Sequence, residues 1–251
     1  MSMKAMIFAA GLGTRLKPLT DTTPKALVAF AGKTLLQWQL DKLYAVGIRE
    51  FVVNVHHLAD QIVEYLQTHR MEGCQVYVSD ETAMLLDTGG GLYRAKEWLK
   101  NDDGEPILVC NVDILSNIDL SSLMAAYDPE ALGLIVVSPR KTQRYLLFDA
   151  DGRLHGWQNI ATGEKKPTDL NEEGLDAFAF SGMQLLNPKI FNYMDAFYEM
   201  KGPKFSLVDL YIYLCQNHTL KAYVPTNYQM MDVGKINQLE EAERFAQTML
   251  L

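Results

Sequence analysis

The chain has 251 residues, 48% of them hydrophobic and 22% charged, and a formal net charge of −8. That composition excludes a disordered chain, the length supports a core without disulfide or metal staples, and the acidity argues against nucleic acid as a partner, because phosphate contacts need a basic surface. Three widely spaced cysteines, Cys74, Cys110 and Cys215, form neither a Cys-x-x-Cys pair nor an even disulfide set, which points to a reducing, cytoplasmic setting.

Residues 4–10 are an apolar run closed by Gly11 and fit a buried strand. This stretch is too short to span a membrane, and Arg15 and Lys17 follow it where a signal peptide would keep its apolar core, so no membrane association is expected. Apolar residues at 36, 40 and 43 predict a helix over 35–46, stopped by Gly47. Strand 51–55, a helix marked by Leu58, Ile62 and Leu66, strand 75–78, helix 92–99 and the fully apolar strand 107–112 follow in turn. Asp119 can cap a helix reaching Tyr127, and 132–137 reads as a fifth strand. Repeated strand–helix units with short links predict an α/β fold: one doubly wound, mostly parallel sheet, with ligands at the carboxyl ends of the strands.

The pattern changes near residue 145. Runs 145–148 and 153–157 flank Asp149-Ala150-Asp151-Gly152, a hairpin signal. The polar stretch around Pro167 and Asn171-Glu172-Glu173-Gly174 reads as loop. A strand over 177–186, helices capped at Asn187 and Ser206, strands 221–224 and 229–233 and a closing helix over 236–249 complete the chain. With no linker or repeat, a single domain over 1–251 with a small β-rich insertion is expected.

Charge is spread unevenly. The first 33 residues hold Lys4, Arg15, Lys17, Lys25 and Lys33 against one acid, Asp21, which leaves −12 on the remainder. A basic patch on an acidic protein points to a small anion bound there. Within the patch, Ala9-Ala10-Gly11-Leu12-Gly13-Thr14-Arg15-Leu16-Lys17-Pro18-Leu19-Thr20 leads to Thr23-Pro24-Lys25-Ala26-Leu27. Glycines let backbone N–H groups approach an oxyanion; Arg15 offers a planar fork for phosphate oxygens, and Lys25 a point charge. The dinucleotide fingerprint fails because no third glycine follows Gly13, and Gly32-Lys33-Thr34 lacks its Walker partner because position 27 is Leu27.

Residues 9–27 resemble the opening signature of the sugar-1-phosphate nucleotidylyltransferases, in particular a short bacterial branch that contains N-acetylmuramate-1-phosphate uridylyltransferases. Further matches follow in order over about residues 4–245: Leu86-Asp87-Thr88-Gly89-Gly90-Gly91 at the base-side glycine loop, Asn111-Val112-Asp113 where the family has Asn-Gly-Asp, Phe180-Ser181-Gly182 at the sugar-side strand and Asp232-Val233-Gly234 at the late acidic motif. Val112 departs from the family's glycine and narrows the approach to the sugar.

The resemblance implies a Rossmann-like nucleotidyltransferase fold, with a nucleotide-binding half over about 1–140 and a sugar-phosphate-binding half over about 141–251. It implies that a nucleoside triphosphate (UTP favoured) and a sugar-1-phosphate are the partners, with N-acetylmuramate-1-phosphate as the favoured acceptor. Ala10, Gly11, Gly13 and Thr14 would hold the nucleotide, Arg15 and Lys25 act catalytically, Glu81, Gly89 and Gly90 face the base, and Asn111, Ser181 and Gly182 border the sugar. Asp113 and Asp232 each end a strand, and two carboxylates with phosphate and water oxygens make an ordinary Mg²⁺ site. Trp157 can stack on a sugar, although an aromatic in a hairpin more often serves packing. Lys165 and Lys166 are further phosphate candidates in a polar turn, while His56-His57 has no metal spacing. A monomer or weak dimer is expected. Mannose-1-phosphate guanylyltransferases, choline-phosphate cytidylyltransferases and a non-catalytic nucleotide-sugar sensor are the rival readings.

Overall fold

A computed structural model describes residues 3–101, 104–234 and 239–249. Its core is divided by the period-two alternation of the first strand, β1 (Lys4–Phe8). Ala5 and Ile7 enter one apolar cluster, Met6 and Phe8 the other, because successive side chains of a strand point to opposite faces. Three single turns of 3₁₀ helix, at Thr14–Leu16, Leu19–Asp21 and Lys25–Leu27, carry the chain to a short hairpin, β2 (Ala29–Phe30) and β3 (Lys33–Thr34). The Thr34 hydroxyl accepts from the Gln37 N–H and caps α1 (Leu35–Ala45), a typical N-cap device. Then come β4 (Glu50–Val55), α2 (Ala59–Thr68) and β5 (Gln75–Asp80). Helices α3 (Asp87–Arg94) and α4 (Lys96–Leu99) replace the expected helix 92–99, which starts a turn and a half earlier than the sequence suggests.

β6 (Ile107–Asn111), β7 (Ile114–Ser116), α5 (Leu120–Ala125, capped by Asp119) and β8 (Gly133–Ser138) end the first half. The expected hairpin forms between β9 (Arg144–Phe148) and β10 (Leu154–Asn159), and β11 (Glu164–Lys166) adds a third strand where loop was expected. β12 (Asp176–Leu186), α6 (Phe191–Lys201), α7 (Leu207–Leu214), β13 (Leu220–Tyr223), β14 (Met230–Asp232) and α8 (Leu239–Met249) follow. The expected start of the closing helix at Ile236 lies outside the described residues.

The parallel part of the main sheet has the order β6-β1-β4-β5. β12 lies antiparallel against both β6 and β8 and hands the sheet on to the meander β9-β10-β11, which is the β-rich insertion. Apolar stripes of α1 and α2 cover one face, through Leu36, Leu40, Leu43, Ile62 and Leu66. Stripes of α3, α4, α6 and α7 cover the other, through Leu92, Leu99, Phe197 and Tyr211. Covering both faces makes the parallel strands apolar throughout, which is why they read as continuous hydrophobic runs. No helix among the described residues is long and apolar enough to cross a membrane.

Candidate active site

The carboxyl ends of β1, β4, β5 and β6 open on one cavity of about 430 Å³. Phe8 to Gly11 line it from β1, Asn54 from β4, Glu81 from the end of β5, and Asn111, Val112 and Asp113 from β6; Lys25 and Lys204 are its cations. The position is the one the topology dictates for a doubly wound sheet.

Gly13 has φ +64°, and a Cβ there would come within 2.7 Å of Thr20 Cγ2. Both facts require glycine. Its carbonyl accepts from the Leu16 N–H at 2.8 Å and from the Thr20 hydroxyl at 2.8 Å, which folds residues 13–20 into a compact cradle. Gly11, Thr14 and Arg15 are exposed on its outer side. Pro24 is extended and starts the turn that buries the stem of Lys25. The Lys25 ammonium forms an ion pair with Asp113, in the turn that follows β6.

β7 and β14 pair antiparallel, with Asp232 opposite Ile114, and the Val233 N–H donates to the Asp113 carbonyl at 2.8 Å. This two-strand ladder brings the two candidate metal ligands together from opposite ends of the chain. Asp232 Oδ2 lies 3.5 Å from the Arg15 guanidinium; both side chains are about half exposed, so the pair contributes little stability. Asp232 Oδ1 is buried and has no hydrogen-bond partner. An orphaned buried carboxylate oxygen beside a second carboxylate fits a hard cation that takes few protein ligands and completes its shell with phosphate and water, as Mg²⁺ does. No cluster of three or more His, Cys, Asp or Glu occurs among the described residues, so a site richer in protein ligands is not available there.

The base side differs from expectation in two respects. Glu81 is 2% exposed, and both its oxygens are occupied: Asn54 Nδ2 donates to Oε1 at 2.7 Å and the Leu86 N–H to Oε2 at 3.1 Å. Burial pushes its carboxyl above the usual range, against the pull of those two hydrogen bonds. Asn54 in turn accepts from the Ala9 N–H at 2.7 Å and the Ala10 N–H at 3.3 Å. Through Asn54, Glu81 thereby holds the exit of β1 while it lines the cavity. Asn54 was missed in the sequence, although a lone amide within Phe51-Val52-Val53-Asn54-Val55 is a signal, since a buried amide must find partners. The histidines also hold backbone: His56 Nδ1 lies 2.6 Å from the Glu81 carbonyl, and His57 Nε2 lies 3.1 Å from that of Thr20.

Gly89 and Gly90, expected in an open loop under the base, are buried in the first turn of α3. Their N–H groups donate to the Phe205 carbonyl at 2.9 and 3.1 Å, which satisfies donors that a helix start otherwise leaves free. A Cβ on Gly89 would strike the Phe205 ring, and one on Gly90 the Pro203 carbonyl oxygen. Leu85, Asp87 and Thr88 line the cavity instead. Gly90→Ala is accordingly expected to destabilise the fold by overpacking, by about 1–3 kcal/mol or roughly 3–10 °C in melting temperature. A melting curve equal to wild type, with weakened nucleotide binding, would return Gly90 to a base-side role.

On the sugar side, Asn111 lines the cavity and touches Gly182, where φ is +70° and a Cβ would lie 3.1 Å from Asn111 Nδ2. Gly182 sits where β12 shifts register against β8. Ser181 is completely buried, its hydroxyl 3.5 Å from that of Ser138, and so faces packing and not open space. Val112 donates its N–H to the Phe8 carbonyl at 3.1 Å and its side chain joins the core, which limits how far it narrows the cavity. Trp157 is half-buried against the second cluster, with the Lys166 ammonium 5.1 Å over its ring. It does not line the cavity. Lys165 pairs with Glu172 and Lys166 with Asp209.

The chain is similar to known proteins over nearly its whole length. The chain is 31% identical to an N-acetylmuramate α-1-phosphate uridylyltransferase of Neisseria meningitidis serogroup B, over 97% of this chain and 98% of that protein. It is 38% identical to a protein of the same name from Caulobacter vibrioides over 146 residues, 55% of this chain and 59% of that protein. Among solved structures, UDP-glucose pyrophosphorylase from Acinetobacter baumannii superposes with a TM-score of 0.75 at 20% identity, covering 100% of this chain and 99% of that one, a likeness of fold. Residues 4–249 match the model of the nucleotidyl transferase family, and the chain belongs to that family.

Proposed function

We propose that the chain transfers a uridylyl group from UTP to N-acetylmuramate-1-phosphate, releasing pyrophosphate and forming the UDP-sugar. The observation that carries this reading is the Lys25–Asp113 pair, which joins the turn Lys25–Leu27 to the residues after β6 in the cavity at the carboxyl end of β1. The full-length similarity to the Neisseria protein supports the choice of substrates.

In this reading a sugar-phosphate oxygen attacks the α-phosphorus, and the bond from that phosphorus to the oxygen bridging to the β-phosphate breaks. A phosphate monoester has a second pKa of about 6, so the nucleophile is anionic at neutral pH and needs no general base. That agrees with the two histidines near the cavity being held to backbone carbonyls. The work left to the protein is alignment and charge stabilisation. Gly11, Gly13 and Thr14 present backbone to the triphosphate, and Lys25 neutralises the reacting phosphates. Arg15, exposed and weakly held, turns to the departing pyrophosphate. Asp113 and Asp232 hold Mg²⁺, which when bound supplies positive charge to the phosphate oxygens. Asn111, from the first half, and Gly182, from the half over about 141–251, border the sugar.

Initial rates of pyrophosphate release with Mg²⁺, over four nucleoside triphosphates and a set of acceptors, test the substrates. UTP with N-acetylmuramate-1-phosphate is expected to be fastest. Fastest release from GTP with mannose-1-phosphate, or from CTP with phosphocholine, would replace that assignment. Nucleotide binding without release in any combination would favour a sensor.

A further inference from the structure

Most lysines of the chain stand within salt-bridge distance of a carboxylate. The connection between β8 and β9 is different. Residues 139–144 read Pro-Arg-Lys-Thr-Gln-Arg, three cations and no acid in a chain of net charge −8. Arg140, Lys141 and Arg144 are all exposed, and no ion pair to any of them occurs among the described residues.

The topology places this connection at the ligand edge. β12 is antiparallel to both β6 and β8, so β8 and β6 point the same way and their carboxyl ends share one side of the sheet. Arg140 follows the carboxyl end of β8, as Asp113 follows that of β6. Unlike its neighbours, Arg140 is anchored: its guanidinium donates to the Phe180 carbonyl at 2.9 Å. Two residues on along β12 is Gly182, which touches the cavity residue Asn111. Two residues of strand span about 7 Å, the scale of one pyranose ring. The anchor uses one of five N–H donors, and the rest of a planar fork is free for a carboxylate.

We propose that Arg140 receives a carboxylate borne by the sugar of the acceptor, so that the chain selects a sugar-1-phosphate with a second acidic group over the same sugar without it. The proposal rests on the sugar-1-phosphate reading above and adds the residue that distinguishes acidic from neutral acceptors. Lys25 and Asp113 mark the phosphate end of the acceptor, and Arg140 lies beyond Asn111 and Gly182 at the opposite end.

The test compares kcat/KM for N-acetylmuramate-1-phosphate and N-acetylglucosamine-1-phosphate, which differ only by the lactyl ether, at fixed UTP and Mg²⁺. Wild type is expected to prefer the acidic acceptor. Arg140→Gln is expected to lower the ratio of the two kcat/KM values by roughly tenfold to a hundredfold, the range of a charged hydrogen bond. The loss should fall mainly on KM for the acidic acceptor. Arg140→Lys, which keeps the charge but not the fork, should retain part of the ratio. Added NaCl should shrink the wild-type preference and leave that of Arg140→Gln little changed. A ratio in Arg140→Gln equal to wild type within about twofold, with both acceptors turned over, overturns this assignment alone. Wild type that turns over neither acceptor overturns the uridylyl-transfer reading proposed above and the assignment with it.

Discussion

Asp113→Ala is expected to lose at least about a thousandfold in kcat/KM for pyrophosphate release. The carboxylate follows the largely buried strand β6, and the residue is held in place by its pair with Lys25 and by the backbone bond from Val233. Removing it takes away one of the two carboxylates proposed to hold Mg²⁺ and leaves the Lys25 ammonium, only 11% exposed, without its counter-ion. An unpaired buried charge is costly, so some stability is lost as well. Asp113→Asn separates the two effects. It keeps an acceptor for the lysine and the side chain's shape, so melting should fall less than in Asp113→Ala while turnover stays low. Activity within tenfold of wild type in Asp113→Asn, at saturating Mg²⁺, would remove Asp113 from the metal site.

Lys25→Met should lower kcat by about a hundredfold to a thousandfold, the cost of removing one fixed positive group from a developing phosphate charge. Methionine preserves the buried stem, so packing against the turn Lys25–Leu27 is largely kept. What is lost is the ammonium, leaving Asp113 as an unpaired carboxylate that is 19% exposed. The two substitutions share one interaction and should not add. The double variant Lys25→Met with Asp113→Asn is expected to melt closer to wild type than the two single shifts summed, because neither charge is left alone. Strict additivity in melting, measured at one pH and salt concentration, would mean that the pair is not formed in solution.

The parallel sheet was legible because strands covered on both faces are apolar along their length, and the covering helices show their stripes at 36, 40, 43 and at 58, 62, 66. The short ladders were not. β14 falls within the strand read over 229–233, but its pairing with β7 was not legible, since the two are three residues each and more than a hundred residues apart. Yet that ladder is what joins Asp113 to Asp232. Helix α3 was misjudged for a related reason. Three successive glycines carry a low helix propensity, and the donors of its first turn are satisfied by the carbonyl of Phe205, far along the chain. Residue types in the phosphate cradle were legible because glycine, arginine and lysine there have few other uses at such spacing. Their pairing was not, since Lys25 meets Asp113 across 88 positions and Arg15 meets Asp232 across 217. Glu81 was placed beside the cavity, where the structure has it. Only the structure assigns its two oxygens to Asn54 and Leu86.

The central claim is that this cavity joins a nucleotide to a sugar-1-phosphate. ³¹P nuclear magnetic resonance on the wild-type protein with Mg²⁺, UTP and N-acetylmuramate-1-phosphate tests it most directly. The account predicts pyrophosphate and the paired resonances of a diphosphate sugar growing in equal amounts as the phosphomonoester signal falls. Unchanged substrates, with UTP bound and the protein folded, would contradict it.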